Sequence, residues 1–86
     1  VDAWTGVSSS GSGVATAAGL CFGSLGSDTG GSIRFPSTAN GITGLKPTWG
    51  CVSRYAVFEL AGSMDHIGPM TRSAIDPAAM LGAIAG

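Results

Sequence analysis

Glycine limits the fold of this chain more than any other residue. It occurs fifteen times in 86 residues, and glycine or serine interrupts every apolar run. Glycine loses more conformational freedom on folding than other residues, so this density is costly unless the backbone must turn or pack closely. No apolar run reaches the ~18 residues that a membrane span requires. We therefore expect short elements joined by structured loops, and no membrane segment.

The chain has too few charges to cover the surface of an independent domain. Charged residues make up 10% of the sequence, against roughly 25% in an average soluble domain. A domain of this size also buries only about 60% of the surface of its unfolded chain and is marginally stable. We therefore expect a central piece of something larger.

Composition also excludes several classes of partner. The net charge is −1 and the basic residues stand singly, so no nucleic-acid surface is expected; they are Arg34, Lys46, Arg54 and Arg72. The cysteines lack the spacing of a disulfide scaffold, and a single histidine does not support a zinc site. We expect reduced thiols, a cytoplasmic location, and neither a metal nor an organic cofactor. The sequence leaves a homodimer open.

Local patterns predict an α/β arrangement of short elements. In order, they are a loop at 4–13, a helix at 14–18, a buried strand at 20–26, a turn at 27–31, a helical turn from 32 limited by Pro36, a short strand or bend at 40–44, and a helix from a Ser73/Asp76 capping box to Ile84. The phenylalanines Phe22, Phe35 and Phe58 are expected in the core.

Two glycines before Ser32 form the first candidate site. Gly30 and Gly31 let consecutive backbone N–H groups turn toward one point, because no side chain blocks the approach. Such donors beside a hydroxyl can hold a tetrahedral oxyanion while the hydroxyl attacks. The same composition is common in flexible loops, so the motif alone is not specific.

A serine nucleophile also needs a base within hydrogen-bond reach. His66 is the only histidine, and no Gly-x-Ser-x-Gly elbow occurs. No Ser-x-x-Lys spacing exists either, because the residue three before Lys46 is Thr43. The remaining option is a lysine that acts through a relay hydroxyl, which the serine cluster at 8–12 could supply.

Five ordered sequence blocks resemble the amidase signature family. They are GVSSSGSG at 6–13, GSDTGGSIR at 26–34, GLKPT at 44–48, VSRY at 52–55, and SMD at 63–65 followed by GP at 68–69. The resemblance implies that residues 1–86 are a fragment of a single catalytic domain with a mixed β-sheet flanked by helices. It also implies that the fold is incomplete in this chain and needs the rest of the amidase polypeptide.

The resemblance further implies hydrolysis of a small carboxamide by a Ser–cisSer–Lys triad with an acyl-enzyme intermediate. Ser32 matches the nucleophile, and Ser8 matches the relay serine that follows a cis peptide bond, here Val7–Ser8. The matching oxyanion-hole donors are Thr29, Gly30, Gly31 and Ser32. The family's lysine lies upstream, outside this chain, whereas Lys46 belongs to a structural block. We therefore expect the chain alone to be inactive.

Three residues are expected to support the site. Asp28 and Arg34 are predicted to form a buried ion pair that holds the loop, and Ser9 is a candidate for a hydrogen bond within the relay. The family usually has glycine where this chain has Val7 and Ser10, which affects the shape of the acyl pocket.

Two alternatives stay open. The glutamine-hydrolysing component of a tRNA-dependent amidotransferase resembles the same blocks, although it usually has glutamine where this chain has Phe35. The second alternative is a catalytically inactive fragment with a structural or interaction role.

Overall fold

The computed structural model describes residues 4–6 and 8–86. The elements in these ranges are α1 (Ser10–Ala17), β1 (Gly23–Asp28), α2 (Arg34–Asn40), β2 (Thr43–Gly44), β3 (His66–Thr71) and α3 (Ile75–Ile84). The strands form a sheet in the order β1-β3-β2, and both pairings are antiparallel. The predicted α/β class is confirmed, and the part of the sheet described here is antiparallel.

Helix α1 begins inside the segment predicted as a loop. The glycines and serines of this segment are poor helix formers, but packing compensates for their low propensity. A Cβ on Gly13 would lie 2.9 Å from Asn40 Nδ2, so α1 and α2 approach closely. Thr16 is fully buried, and its hydroxyl lies 2.7 Å from Ser24 Oγ on β1. The prediction of a loop over 10–13 is therefore wrong.

Strand β1 lies further along the chain than the predicted strand at 20–26. It continues through Ser27 and Asp28, which pair with β3 and were predicted to form a turn. Strand β3 has no counterpart among the predicted elements, because Gly68 and Pro69 both disfavour strands. Pro69 nevertheless lies in the central strand, where its carbonyl accepts a 3.1 Å hydrogen bond from Leu45 N.

The other helices differ from prediction in detail. Pro36 lies in the first turn of α2, where its missing N–H costs nothing, and the helix ends at Gly41 with φ 68°. The capping box predicted for α3 is wrong. Ser73 Oγ donates to the Asp76 carboxylate at 2.8 Å, and Ala74 occupies the N-cap position without a side-chain bond.

The core of the described chain is small. Its buried apolar side chains are Ile33, Val52 and Met70. The phenylalanines expected in the core are exposed instead: Phe22, Phe35 and Phe58 retain 91%, 61% and 101% of their accessible surface. Among the residues described, no helix has both the length and the apolar character needed to cross a membrane.

Candidate active site

Ile33 anchors the loop that carries Ser32 to the sheet. Ile33 is fully buried, and each strand places a glycine beneath it. A Cβ on Gly26 of β1, Gly44 of β2 or Gly68 of β3 would lie 3.2, 2.9 or 3.1 Å from side-chain carbons of Ile33. Because the strands carry no side chains here, Ile33 lies directly on the sheet backbone. Its neighbour Ser32 is thereby held against the sheet.

The carboxylate of Asp28 closes the loop between β1 and α2. Its Oδ2 accepts hydrogen bonds from Ile33 N at 3.1 Å, Arg34 N at 3.3 Å and Arg34 Nε at 3.0 Å. Its Oδ1 accepts from Arg34 Nη2 at 3.1 Å and pairs with Lys46 Nζ at 2.9 Å. The predicted ion pair is present, but only its acidic half is buried, since the Arg34 side chain is 54% exposed.

The environment of Asp28 keeps this group ionised. Burial disfavours its charged form, but hydrogen bonds from Arg34, Lys46 and two backbone N–H groups outweigh that effect. They hold the pKa of Asp28 well below its usual range. Asp28 therefore acts as a fixed acceptor at neutral pH and not as a general acid.

The turn before Ser32 requires glycine at position 31. Gly31 has φ 142°, and a Cβ there would lie 2.5 Å from ring carbons of Phe35. Its carbonyl accepts a 2.7 Å hydrogen bond from Phe35 N. Gly30 is exposed and has open space where a Cβ would lie. The tight turn therefore depends mainly on Gly31.

Thr29 is held from two sides. Its hydroxyl donates to the carboxylate of Asp65, and its carbonyl accepts a 3.3 Å hydrogen bond from Lys46 Nζ. The hydrogen bond from Thr29, with others from Leu60 N and Ala61 N, lowers the pKa of Asp65. No role was predicted for Asp65 from the sequence, because Thr29 lies 36 positions away in the chain and no local pattern relates the two.

A cavity of about 520 Å³ opens beside this loop. One side is formed by hydroxyl-bearing residues, which are Ser8, Ser27, Thr29 and Ser32. Most of the other lining residues come from the segment 50–60, which we call the outer wall, and Asp65 and Ile67 complete the lining. Ser8, Thr29 and Ser32 are thus brought to one cavity, whereas Gly30 and Gly31 do not line it.

Ser9 ties the serine cluster to β1. Its Oγ accepts from Ser27 N at 3.1 Å and donates to Ser27 O at 3.3 Å. Ser9 adopts φ 58°, an uncommon conformation for a residue other than glycine. These bonds join Ser9 to the strand that leads into the loop carrying Ser32. The predicted cis bond at Val7–Ser8 lies outside the described residues.

The carbonyl group of Gly62 holds the side chain of Arg54, which lines the cavity. Gly62 O accepts hydrogen bonds from Arg54 Nη1 at 2.7 Å and from Trp49 Nε1 at 3.3 Å. The Arg54 guanidinium also lies 5.1 Å from the centre of the Trp49 ring, within cation–π range. Arg54 and Tyr55 both line the cavity. All four residues of the fourth sequence block, 52–55, line the cavity.

Comparisons with known proteins agree on one family. A family model described as Amidase matches residues 1–86. AmiD of Mycobacterium tuberculosis, a putative amidase by name, is 73% identical over 84 residues, which are 98% of this chain and 18% of AmiD. A glutamyl-tRNA(Gln) amidotransferase component of Solidesulfovibrio magneticus is 58% identical over 81 residues, 94% of this chain and 17% of that protein.

Solved structures show the same similarity. The native peptide amidase of Stenotrophomonas maltophilia superposes with a TM-score of 0.89 at 52% sequence identity. The match covers 91% of this chain and 16% of the peptide amidase. The chain therefore spans less than a fifth of the length of these relatives.

Proposed function

The chain belongs to the amidase family, and on this basis we propose that it is the nucleophile-bearing part of a single catalytic domain that hydrolyses a carboxamide. The observation that carries the proposal is the cavity shared by Ser8, Thr29 and Ser32. It lies beside a loop that Asp28 closes and Ile33 anchors. The free cysteines, both half-buried, fit a cytoplasmic enzyme.

In the proposed acylation step, Ser32 Oγ attacks the carbonyl carbon of the amide. Its proton passes through Ser8 to a neutral lysine that lies outside this chain. The oxyanion of the tetrahedral intermediate accepts hydrogen bonds from backbone N–H groups within residues 29–32, each worth about 2.7–4 kcal/mol. Collapse of the intermediate breaks the C–N bond, and the relay returns the proton to the leaving amine.

Deacylation repeats the relay with water. Water attacks the ester carbonyl, its proton passes through Ser8, and cleavage of the C–O bond releases the acid and restores Ser32. The lysine can accept a proton only if burial or nearby cations lower its pKa from about 10.4 toward neutrality.

Lys46 does not fit the role of this base. Its ammonium group lies 2.9 Å from Asp28 Oδ1 and donates to Thr29 O, beneath the loop. Lys46 is also not among the residues that line the cavity. These contacts support a structural role for Lys46 and a base supplied by another part of the protein.

A glutaminase is the second candidate. It is supported by the 58% identity to an amidotransferase component. Phe35 occupies the position where that class usually has glutamine, and its exposed ring covers Gly31. Co-purification with companion proteins and a preference for glutamine over a simple aryl amide would favour this candidate.

A fluorophosphonate probe tests the assignment of Ser32 in the complete protein that carries this chain. We expect labelling at Ser32, none in Ser32→Ala, and a labelling rate about 10²–10⁴-fold lower in Ser8→Ala because the proton relay is lost. Ser53→Ala is the matched control, since Ser53 lines the same cavity but bonds only to Tyr55 N among the described residues. Unchanged labelling of Ser32→Ala would contradict the proposal.

A further inference from the structure

We propose that Asp65 is a positioning residue that fixes Thr29 and couples the outer wall of the cavity to the nucleophile loop. This inference rests on the proposed function of Ser32. It adds to that function a residue that lies 36 positions beyond Thr29 in the chain.

The contacts of Asp65 are the first argument. The residue is 8% exposed and immediately precedes β3, the central strand of the described sheet. Its carboxylate accepts hydrogen bonds from the Thr29 hydroxyl, from Leu60 N at 2.8 Å and from Ala61 N at 3.1 and 3.2 Å. Both carboxylate oxygens are therefore engaged, and each partner is a neutral donor. A buried carboxylate satisfied in this way has one defined orientation.

The second argument concerns what Thr29 requires. The peptide after Thr29 leads into Gly30 and Gly31, which restrict the backbone least of all residues. Lys46 holds the carbonyl of Thr29, and Asp65 holds its hydroxyl. With both groups fixed, the peptide leading to Ser32 keeps one orientation before substrate binds. Preorganised donors of this kind supply most of the stabilisation of an oxyanion.

The third argument is the coupling between loop and wall. Leu60 lines the cavity, as do Phe58 and Glu59 before it. The N–H groups of Leu60 and Ala61 donate to the Asp65 carboxylate, which also accepts from the Thr29 hydroxyl. A displacement of Asp65 therefore moves both the outer wall of the cavity and the loop that carries Ser32. Loss of the Thr29 hydroxyl disturbs only the loop.

Steady-state kinetics on an aryl amide, with the complete protein that carries this chain, separate these effects. Thr29→Val removes the hydroxyl at nearly constant volume, and we expect kcat to fall about 10- to 100-fold with KM unchanged. Thr29→Ser keeps a hydroxyl at this position and should retain most of the wild-type kcat. Asp65→Ala removes every acceptor of this carboxylate, so it lowers kcat to a similar extent and also raises KM, because the wall is released. Thr38→Val, at an exposed position of α2, is the control for threonine replacement.

The double variant Thr29→Val/Asp65→Ala should show a kcat no lower than that of Asp65→Ala, because alanine leaves no acceptor and both changes remove the same hydrogen bond. Fluorophosphonate titration of active sites corrects each kcat for misfolded protein. A wild-type kcat in Thr29→Val, or additive losses in the double variant, overturns the role of Asp65 while Ser32→Ala stays inactive. Turnover by Ser32→Ala overturns the proposed function itself, and this inference with it.

Discussion

Asp28 accepts hydrogen bonds from two backbone N–H groups and two cationic side chains. A carboxylate with these partners is stabilised in its charged form despite complete burial. Removing the charge would leave Lys46, whose side chain is only 20% exposed, without its acidic partner. It would also weaken the hydrogen bonds that the backbone N–H groups at the start of α2 donate to this side chain. The loop before Ser32 therefore depends on one ionised group.

The pH dependence of stability follows from this contact. In the unfolded chain the pKa of Asp28 is about 3.9, and in the folded chain it is lower. Its contribution is complete above pH ~4 and is lost as the pH falls below that value toward the folded pKa. We expect Asp28→Asn to lower the free energy of unfolding by about 3 kcal/mol at pH 7. We also expect it to flatten the acid limb, which is the fall in the free energy of unfolding as the pH drops below about 4.

Urea denaturation of the complete protein between pH 2.5 and 7 measures both effects. The matched control is Asp76→Asn, because Asp76 is exposed and bonds to Ser73 Oγ. It should change stability by less than about 0.5 kcal/mol. An acid limb in Asp28→Asn as steep as that of the wild-type protein would show that Asp28 does not carry the dependence.

Sequence distance determined which of these contacts could be predicted. Asp28 and Arg34 belong to one block, and their ion pair was predicted from it. Lys46 and Asp65 reach the same loop from 17 and 36 positions beyond Thr29. Only the folding of the chain brings them there, and no local pattern encodes it. The roles assigned to Ser8, Ser32 and the backbone donors stay predictions.

At the scale of elements, the strand glycines determine how closely the layers pack. Gly26 and Gly68 are paired across β1 and β3, and Gly44 lies on β2. The three glycines form a surface of the sheet without side chains. Ile33 occupies this surface. A side chain at any of the three positions would displace Ile33 and the loop that carries Ser32, or separate the strands. The high glycine content thus has a packing function at the sheet.

Two glycine-to-alanine substitutions test this explanation by having opposite effects. A Cβ on Gly68 would lie 2.2 Å from the carbonyl oxygen of Leu45, which is backbone and cannot move aside. We expect Gly68→Ala to destabilise the protein by about 3 kcal/mol. A Cβ on Gly82 in α3 meets nothing within 4 Å, so Gly82→Ala should stabilise it by about 1 kcal/mol through helix propensity.

Chemical denaturation of both variants at one pH gives the comparison. Equal effects of the two substitutions would mean that glycine content, and not close packing at Gly68, controls stability.

Element prediction succeeded where local pattern and tertiary packing agree. Helices near the predicted places follow Ser9, Ile33 and Ala74. Strand β3 was missed because its Gly68 and Pro69 disfavour a strand, and its pairing with β1 and β2 compensates for this. The start of α1 was missed for the same reason. Serine and glycine gave no helix signal, and contacts with α2 and β1 supplied the stabilisation.

At the scale of the whole molecule, apolar surface is the main feature. Within ranges 4–6 and 8–86, three apolar side chains form the buried core, whereas large hydrophobic residues are mostly exposed at Leu20, Phe22, Tyr55, Phe58, Leu60 and Ile75. A soluble monomer rarely exposes apolar surface on this scale. The relatives are more than five times as long as the part that this chain matches. We therefore expect further polypeptide to cover these residues in the complete protein.

The 86 residues produced alone should behave as a partly ordered chain. We expect them to bind the dye ANS, to show no cooperative thermal transition, and to leave an aryl amide unhydrolysed. The first two properties follow from a small core and exposed apolar surface, and the third follows because the proposed lysine base lies outside this chain. Near-UV circular dichroism, dye fluorescence and an amidase assay measure them in turn. Cooperative unfolding of a monomer without dye binding would contradict the expectation.

Phe22→Ser tests whether further polypeptide covers the Phe22 side chain in the complete protein. In the 86-residue chain, where Phe22 is 91% exposed, it should reduce dye binding and leave secondary structure unchanged. In the complete protein it should lower the free energy of unfolding by about 3–5 kcal/mol, as the loss of a buried aromatic ring does. Thr38→Ser, at an exposed polar position of α2, should be neutral in both. If Phe22→Ser is neutral in the complete protein, no further polypeptide packs on this face, and the exposed ring needs a different explanation.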